Sequence, residues 1–331
     1  MSYTAPRMAN ETIRYLSRAD VEAVGLGMRE IIEALEVMFV DKGHGAVEMP
    51  PKPGIHTRPD AFIHAMPAYL PSLGAAGMKW VSGYPDNPDR GLPYITGLLV
   101  LNDPETGVPT AVMDCTWITA MRTGAATAVA ARHLARADSA VCGIVACGVQ
   151  GRTNLEALAC LFPLKRARAY DLRPEAAVRF AREMSETLGI DVEVVDRPER
   201  AVRGADLVVT SGPIRKHPEP FLQADWLEPG AFACPLDFDS SWTPAAFRQA
   251  DRLVTDDLAQ LEHYRHEGYF AATPPADADL GQIAAGLAPG RRTAEERTIA
   301  LNLGLGLEDM ATAIRVLALA RERGIGRDLP L

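Results

Sequence analysis

A short turn of small residues follows an apolar run near the middle of the chain. Residues 140–146 are small and apolar, and residues 146–151 read ACGVQG. An amphipathic run comes next, and a second short apolar run ends on Asp171. The order strand, tight turn, helix, strand and acid is typical of the opening βαβ unit of a dinucleotide-binding domain. The residues that we expect at the nucleotide are Gly148, Val149, Gln150 and Gly151.

Each part of this unit has a chemical task. Small residues let backbone N–H groups approach a pyrophosphate, and the helix N-terminus adds partial positive charge. Asp171 can accept hydrogen bonds from both ribose hydroxyls and would repel a 2′-phosphate, so we expect NAD. Arg173, two residues later, could accommodate that phosphate, so NADP remains possible. The first glycine position of the motif holds Ala146, and an ordinary βαβ crossover without a ligand is the alternative.

Two cations stand out because their neighbours are uncharged. Lys79 lies in a strand-like run between Ala75 and Asp86, and Arg122 lies among small residues in TAMRTGAA. Each side chain either extends to solvent or reaches into a cleft and holds a carboxylate, for which the guanidinium fork is well suited. The sequence leaves both readings open.

Two acids follow a strand in CPLDFDSS. Asp237 and Asp239 come at the carboxyl end of that strand, and in an open parallel sheet those ends face the ligand crevice. An acid there can position a reacting amine or relay a proton. The alternative for either residue is a cap on the next helix.

Composition limits the classes of function. The 331 residues carry 34 basic and 43 acidic side chains, a net charge of −9. We therefore expect no nucleic-acid partner, since such binding rests on basic clusters. The sequence shows no targeting signal and no run apolar enough for a membrane helix. Five cysteines without metal-ligand spacing indicate free thiols in the cytoplasm and no metal site.

The sequence patterns around these residues predict two kinds of sheet. We predict a short strand at 12–17, a helix at 21–40 and a mainly antiparallel sheet over 46–115, with Trp80 in its core. A helix at 116–135 leads into a doubly wound parallel sheet. The fold class is therefore α/β, a Rossmann-type domain at 123–302 beside a second α+β domain at 1–122, completed by 303–331.

Several of these motifs occur together in one known family. The chain resembles the ornithine cyclodeaminase/μ-crystallin family over nearly its whole length. The resemblance rests on the GMK strand with Lys79, the AMP motif at 65–67, the DPETG turn at 103–107, the TxxRT motif at 119–123 and the LGLGLEDMA tail. It implies a substrate-binding and dimerisation domain and a Rossmann domain that holds NAD(H) or NADP(H), hence a homodimer.

The resemblance also implies roles for individual residues. Lys79 and Arg122 would bind the substrate carboxylate, and Asp239, with Asp237 as the fallback, would handle the substrate nitrogen. We further expect Thr119 and Ser211 to contact the cofactor. Lys52 stands where the family often has an arginine that binds the carboxylate. We also expect His64 to bind the substrate. It stands where ornithine-specific members have a glutamate, so ornithine cyclisation is in doubt.

The leading functional hypothesis is an NAD(H)-dependent oxidoreductase that acts at the α-carbon of a small amino or imino acid. It would be an imine or ketimine reductase or an amino-acid dehydrogenase, with Lys79 and Asp239 as its catalytic residues. One alternative is a deaminating cyclase, in which bound NAD is reduced and reoxidised within each turnover. Another is a non-catalytic, crystallin-like protein that binds nucleotide or a small ligand.

Overall fold

The protein is described by a computed structural model over residues 12–331. Residues 1–11, which hold most of the stretch in which we expected no targeting signal, lie outside the described residues. The first part of the chain forms β1 (Thr12–Leu16), α1 (Arg18–Ala23), α2 (Met28–Gly43), β2 (Gly54–Ile55), β3 (Phe62–Leu70), β4 (Ala75–Gly83), β5 (Ile95–Asn102), β6 (Pro109–Asp114) and α3 (Thr116–Leu134).

The middle of the chain alternates strand and helix. It forms β7 (Val141–Val145), α4 (Val149–Leu161), β8 (Arg166–Tyr170), α5 (Pro174–Leu188), β9 (Asp191–Val194), α6 (Pro198–Val202), β10 (Leu207–Thr210), β11 (Phe232–Pro235), α7 (Pro244–Gln249), β12 (Arg252–Thr255), α8 (Leu258–His266), β13 (Ala278–Asp279), α9 (Leu280–Ala284) and β14 (Thr298–Leu301). The last two elements are α10 (Gly306–Glu322) and β15 (Arg327–Pro330).

The strands build two sheets. The first has the order β15-β1-β6-β5-β4-β3-β2 and is antiparallel except where β1 runs parallel to β6. The second has the order β13-β12-β14-β11-β10-β7-β8-β9, and its paired strands are parallel. The predicted α/β class, a doubly wound parallel sheet beside a second sheet, is confirmed.

Helix α3 contacts elements of both sheets. It packs on β5 of the first sheet and on β11 and β14 of the second, and along α4. The close approach is visible at Gly124, where an added Cβ would lie 2.4 Å from the carbonyl oxygen of Thr153. The expected boundary at 122/123 falls inside this continuous helix, and the division into two domains remains a prediction. α10 packs on β3 and β4, and β15 pairs with β1.

Two expectations about the first sheet are wrong. The single helix at 21–40 is two helices, because Gly25 takes a left-handed conformation at φ +66° and ends α1. Trp80 is not in the core but 45% exposed. Successive residues of a strand point to opposite faces, so its neighbour Lys79 points to the side covered by helices, where it is fully buried.

Candidate active site

The predicted phosphate turn (residues 146–151) joins β7 to α4 at the carboxyl edge of the parallel sheet. Gly148 is the N-cap of α4, and a Cβ added there would meet no atom within 4 Å. A Cβ added at Gly151 would lie 2.8 Å from the carbonyl oxygen of Ala146. Gly151 is therefore needed for packing, whereas Gly148 leaves open space at the N-terminus of α4, where a helix favours an anion.

Asp171 is anchored beside this turn. Its Oδ2 accepts from the backbone N–H of Cys147 at 2.8 Å, and its Oδ1 accepts from the backbone N–H of Arg173 at 2.9 Å. Each carboxylate oxygen keeps acceptor capacity for another donor. Ser211 lies at the turn as well, donating from Oγ to the carbonyl oxygen of Ala146 at 3.1 Å. The Arg173 side chain is 73% exposed.

Gln150 and Thr119 are placed differently from the rest of the predicted nucleotide residues. The amide oxygen of Gln150 faces its own helix, with Asn154 Nδ2 at 3.3 Å. Thr119 lies on α3 with its Oγ1 3.4 Å from Lys79 Nζ. The structure thus groups Thr119 with the cations, and its contact with a nucleotide remains a prediction.

Lys79 and Arg122 are both buried and share an acid. Lys79 Nζ lies 2.8 Å from Oδ1 and 2.7 Å from Oδ2 of Asp309. Arg122 donates from Nε to Asp309 Oδ1 at 3.2 Å and from Nη1 to Glu308 Oε2 at 2.7 Å. No hydrogen bond within residues 12–331 uses Arg122 Nη2. The surface alternative is excluded for both cations, and donors remain on the guanidinium for another anion.

The two acids were missed by the sequence analysis. Glu308 and Asp309 occupy the first turn of α10, where the helix dipole favours negative charge, and both are fully buried. Burial raises the pKa of Glu308, while Arg122 opposes the rise. Burial lowers the pKa of Lys79, and Asp309 opposes that shift. Two adjacent acids in an otherwise apolar segment were the available signal.

Lys52 reaches the same cluster from the loop before β2. Its Nζ donates to the carbonyl oxygens of Leu303 at 2.7 Å and Gly304 at 3.1 Å, and it lies 5.2 Å from the ring centroid of Tyr264. Burial lowers its pKa to about 7, and Arg122 adds to that shift. Most of its donors are therefore used on backbone, and substrate binding by Lys52 remains a prediction.

Gly304 connects the cations to the parallel sheet. Its backbone N–H donates to Asp256 Oδ2 at 2.8 Å, and its φ is +80°. A Cβ added there would lie 2.8 Å from Arg122 Nη1, so the guanidinium packs directly on this backbone. Burial raises the pKa of Asp256 to about 7, with Glu308 adding to the rise.

The structure distinguishes the two acids that follow β11. Asp237 is fully buried and accepts from the hydroxyl groups of Thr210 and Ser241 and from the backbone N–H of Gly212, so it ties strand ends together. Asp239 is partly exposed, and no residue in 12–331 bonds its buried Oδ1. Burial raises the pKa of Asp239. Phe238 between them has φ +59°, a strained conformation of the kind that functional sites retain.

His64 lies on β3 and stacks on Phe62 with ring centroids 4.3 Å apart. Burial lowers the pKa of His64 to about 3, and nearby Lys52 adds to the shift. The imidazole is therefore neutral at neutral pH. No group of three or more His, Cys, Asp or Glu side chains between residues 12 and 331 is arranged to hold a metal ion. None of the helices in that range combines the length and apolar character needed to cross a bilayer.

The family model of the ornithine cyclodeaminase/mu-crystallin family matches residues 13–323. The chain belongs to this family. It is 36% identical to an alanine dehydrogenase of Archaeoglobus fulgidus over 319 residues, which cover 94% of this chain and 96% of that protein. The family predicted from Lys79, Arg122 and the accompanying motifs is thus confirmed.

Two solved structures superpose on nearly the whole chain. One is the Delta(1)-pyrroline-2-carboxylate reductase of Thermococcus litoralis in complex with NADH and L-proline, with a TM-score of 0.87, 34% identity, and coverage of 96% of this chain and 100% of that one. The other is an archaeal alanine dehydrogenase dimer with bound NAD, with a TM-score of 0.86, 34% identity, and coverage of 97% and 99%.

Proposed function

We propose that the protein is an NAD(H)-dependent oxidoreductase that acts at the α-carbon of a small amino or imino acid. The observation that carries this proposal is the buried pair of cations, Lys79 and Arg122, which Asp309 and Glu308 hold while Arg122 keeps donors for another anion. Asp239, whose Oδ1 has no partner within residues 12–331, follows a strand of the parallel sheet. Relatives named alanine dehydrogenase and Delta(1)-pyrroline-2-carboxylate reductase support it. Both names describe redox chemistry at a carbon that bears nitrogen and a carboxylate.

The residues at the carboxyl edge of the parallel sheet fit NAD. The open surface at Gly148 admits a pyrophosphate, and Asp171 keeps lone pairs for ribose hydroxyls. Ser211 holds the turn that would contact the phosphates. A bound nicotinamide supplies the hydride acceptor or donor. Asp171 disfavours a 2′-phosphate, so we infer NAD as the cofactor, while the exposed Arg173 permits weaker use of NADP.

The substrate carboxylate would bind the free edge of Arg122 and the Lys79 ammonium. Asp309 and Glu308 fix these cations in place, so little reorganisation is needed when the substrate arrives. Asp239 would face the substrate nitrogen, and its raised pKa suits a group that holds and relays a proton there. Lys52, buried beside Gly304, would add positive potential near Arg122 when it is protonated, and its pKa of about 7 leaves it partly protonated at neutral pH.

We infer that His64 also limits which substrates the site accepts. A neutral imidazole offers no counter-charge to a distal ammonium group, and burying an unpaired charge is costly. We therefore infer a substrate without a second amino group. This inference weighs against ornithine cyclisation, for which a charged distal amine must be accepted.

A steady-state assay tests the proposal. NADH oxidation is followed with cyclic and linear imino acids, and ammonia release is measured in parallel. We expect a net change in nicotinamide absorbance and a loss of at least about 100-fold in kcat/KM for Asp239→Asn and Lys79→Met. Asp138→Asn and Lys165→Met at exposed positions are the matched controls.

Three results would contradict the proposal. Full activity in both site variants would remove the assigned roles. Ammonia release without a net absorbance change would indicate the cyclase. Nucleotide binding without turnover of any amino or imino acid would favour the crystallin-like alternative.

We also infer a homodimer formed through the outer face of the first sheet. Trp80 and Leu98 lie directly opposite each other on β4 and β5 and are 45% and 47% exposed. The other face of these strands is covered by α3 and α10. Paired large apolar residues on an uncovered face are typical of an interface, and the archaeal alanine dehydrogenase is a dimer.

Light scattering tests the proposed dimer. It should give twice the chain mass for the wild type and one chain mass for Trp80→Arg. A monomeric wild type would refute the inference.

The five cysteines are all free thiols, four of them buried. Burial raises the pKa of Cys142 to about 12, so this thiol is protonated and unreactive at neutral pH. We propose a cytoplasmic location, which keeps such thiols reduced.

A further inference from the structure

Lys52 is a buried amine whose hydrogen bonds fit a neutral state. The residue is 8% exposed, and its Nζ donates to two carbonyl oxygens, those of Leu303 at 2.7 Å and Gly304 at 3.1 Å. A neutral amine has two N–H groups, so these two acceptors satisfy all of its donors. An ammonium group has three donors, and no carboxylate of residues 12–331 lies within 4.0 Å of Lys52 Nζ.

The charged surroundings of Lys52 decide which state is favoured. Burial and the positive charges of Arg122 and Lys79 lower the pKa of Lys52 to about 7, while the acids Asp256 and Glu308 oppose this shift. The titratable groups that face Lys52 come from six parts of the fold: Lys79 on β4, His64 on β3, Arg122 on α3, Asp256 after β12, Tyr264 on α8 and Glu308 on α10.

The total charge of the buried cluster depends on Lys52. The cluster consists of Lys52, Lys79, Arg122, Asp256, Glu308 and Asp309, all of them buried. Its three acids, when ionised, outnumber Lys79 and Arg122, so the cluster carries one excess negative charge while Lys52 is a neutral amine. An uncompensated buried charge is costly. A carboxylate that arrives at Arg122 adds another negative charge, and it therefore favours protonation of Lys52.

The site also accommodates the protonated form of Lys52. Its Nζ lies 5.2 Å from the ring centroid of Tyr264, within the roughly 6 Å over which an aromatic face attracts a cation. Tyr264 shares a face of α8 with Gln260, which donates from Nε2 to the carbonyl oxygen of Gly304 at 3.0 Å. The helix thus holds the ring beside the amine, and both states fit the same surroundings.

We propose that Lys52 is a neutral amine in the ligand-free protein above pH 7 and takes up one proton when the substrate carboxylate binds at Arg122. The lone pair of Nζ accepts the proton from solvent, and the new ammonium group compensates the carboxylate. Lys52 thereby selects the substrate by its charge, because a neutral amide would bind no proton. Arginine, which the family often has at this position, stays protonated. The inference rests on the proposed function, since it requires a carboxylate at Arg122.

Calorimetry of the full chain saturated with NADH tests the proton uptake. The probe is cyclopentanecarboxylate, which has no basic nitrogen, titrated at pH 8 in HEPES and in Tris. These buffers differ in ionisation enthalpy, so the difference in observed heat gives the number of protons bound. We expect about one proton per carboxylate in the wild type and in Lys165→Arg, an exposed control, and about none in Lys52→Arg. Carboxylate binding to the wild type without proton uptake would overturn the inference.

The affinity for the carboxylate should depend on pH only where residue 52 can titrate. In the wild type it should fall by up to about tenfold per pH unit between pH 7 and 9. Lys52→Arg should keep the high affinity throughout, and Lys52→Met should bind weakly throughout. The wild type should therefore approach Lys52→Arg at pH 6 and Lys52→Met at pH 9. An equal loss in Lys52→Met at every pH would indicate a purely structural role and overturn the inference.

The buried acids are the competing sites for the proton, because burial raises the pKa of Asp256 and of Glu308. Asp256→Asn should retain the uptake. Uptake that persists in Lys52→Arg and disappears in Asp256→Asn would place the proton on the acid and defeat this inference alone. If Lys52→Arg does not fold, Lys52→Met gives the same proton count. A wild type that binds neither NADH nor the carboxylate defeats the proposed function instead.

Discussion

The region that we assign to the nucleotide (the nucleotide end) and the region that we assign to the substrate (the substrate end) are built from different parts of the chain. The nucleotide end is made of backbone: a turn, a helix N-terminus, and Asp171, which holds the N–H of Cys147 only 24 residues away. The substrate end is made of buried side-chain charges, in which Lys79 pairs with Asp309 across 230 residues. A backbone site depends on local conformation, whereas a charge cluster depends on the whole fold to bring its members together.

This difference predicts how each end responds to substitution. Buried charges hold one another in place, so removing one partner leaves another uncompensated. Backbone groups of the phosphate turn are satisfied locally, so small changes there should alter ligand binding more than folding. Substitutions at the substrate end should therefore act mainly on stability, and those at the nucleotide end mainly on ligand affinity.

Asp309→Asn should have the largest effect on stability. It leaves the fully buried Lys79 without a charged partner and removes one of the two acids that Arg122 contacts. Breaking a buried ion pair from one side costs about 3–5 kcal/mol, which we expect as the fall in the free energy of unfolding in urea. The control is Glu22→Gln in the exposed pair with Arg18, where the loss should be below about 1 kcal/mol. If Asp309→Asn and Glu22→Gln lowered the free energy of unfolding by similar amounts, the buried charges would not hold one another in place as we infer.

His64 should give a pH-dependent effect at the same end. The folded-state pKa of about 3 lies below the ordinary value of 6.5, so the unfolded chain takes up a proton on this group before the folded chain does. Its contribution to stability is present above pH 6.5 and is lost as the pH falls toward 3. At pH 5 the loss is about 2 kcal/mol.

His64→Gln removes this titration. The free energy of unfolding of the variant relative to the wild type should therefore rise by about 2 kcal/mol when the pH is lowered from 8 to 5. His266→Gln, whose imidazole is 77% exposed, is the matched control and should show no such rise. A difference between His64→Gln and the wild type that is constant over this range would show that His64 is not held neutral.

Local features could be predicted from the sequence, whereas contacts between distant residues could not. The turn at 146–151, Asp171 and the alternation of elements are local patterns, so the strand–turn–helix unit and the α/β class could be predicted. The reading of Lys79 stayed undecided because its partner, Asp309, is distant in sequence.

The two wrong predictions in the first part of the chain also concern features that depend on more than local periodicity. Trp80 was predicted in the core from its apolar character, but its exposure depends on which face of β4 the helices cover. The helix predicted at 21–40 had helical periodicity throughout, and Gly25 ended it through a backbone conformation that periodicity does not report. The strand-end pattern alone did not distinguish Asp237 from Asp239, and the family resemblance favoured Asp239. Their hydrogen bonds distinguish the two side chains in the structure.

Gly148→Ala tests the nucleotide end with little disturbance of the fold. The residue has φ −81° and ψ −158°, which alanine adopts readily, and the added Cβ would meet no protein atom within 4 Å. It would instead occupy the surface that we assign to the pyrophosphate. We expect at least about a tenfold weaker affinity for both NADH and ADP-ribose, or about 1.4 kcal/mol, by calorimetry.

Gly151→Ala, three residues further along the chain, is the variant to compare with Gly148→Ala. Gly151→Ala places its Cβ 2.8 Å from the carbonyl oxygen of Ala146, so it should lower the stability of the ligand-free protein as well as the affinity. If Gly148→Ala lowers the Tm as much as Gly151→Ala does, the surface at Gly148 is not free for a ligand.

Ala146→Gly should have the smallest effect, and it should stabilise the protein. Ala146 has φ +77°, where a Cβ costs roughly 1–2 kcal/mol; the extra chain entropy of glycine offsets roughly 0.5–1 kcal/mol of that. The net gain in the free energy of unfolding should be about 0.5–1 kcal/mol. Backbone N–H donation to Tyr170 and acceptance from Ser211 already fix the conformation of the turn, so the NADH affinity should change by less than about twofold. A large gain in affinity without a gain in stability would mean that the alanine distorts the turn, and that the nucleotide end is less rigidly set by its backbone than the hydrogen bonds indicate.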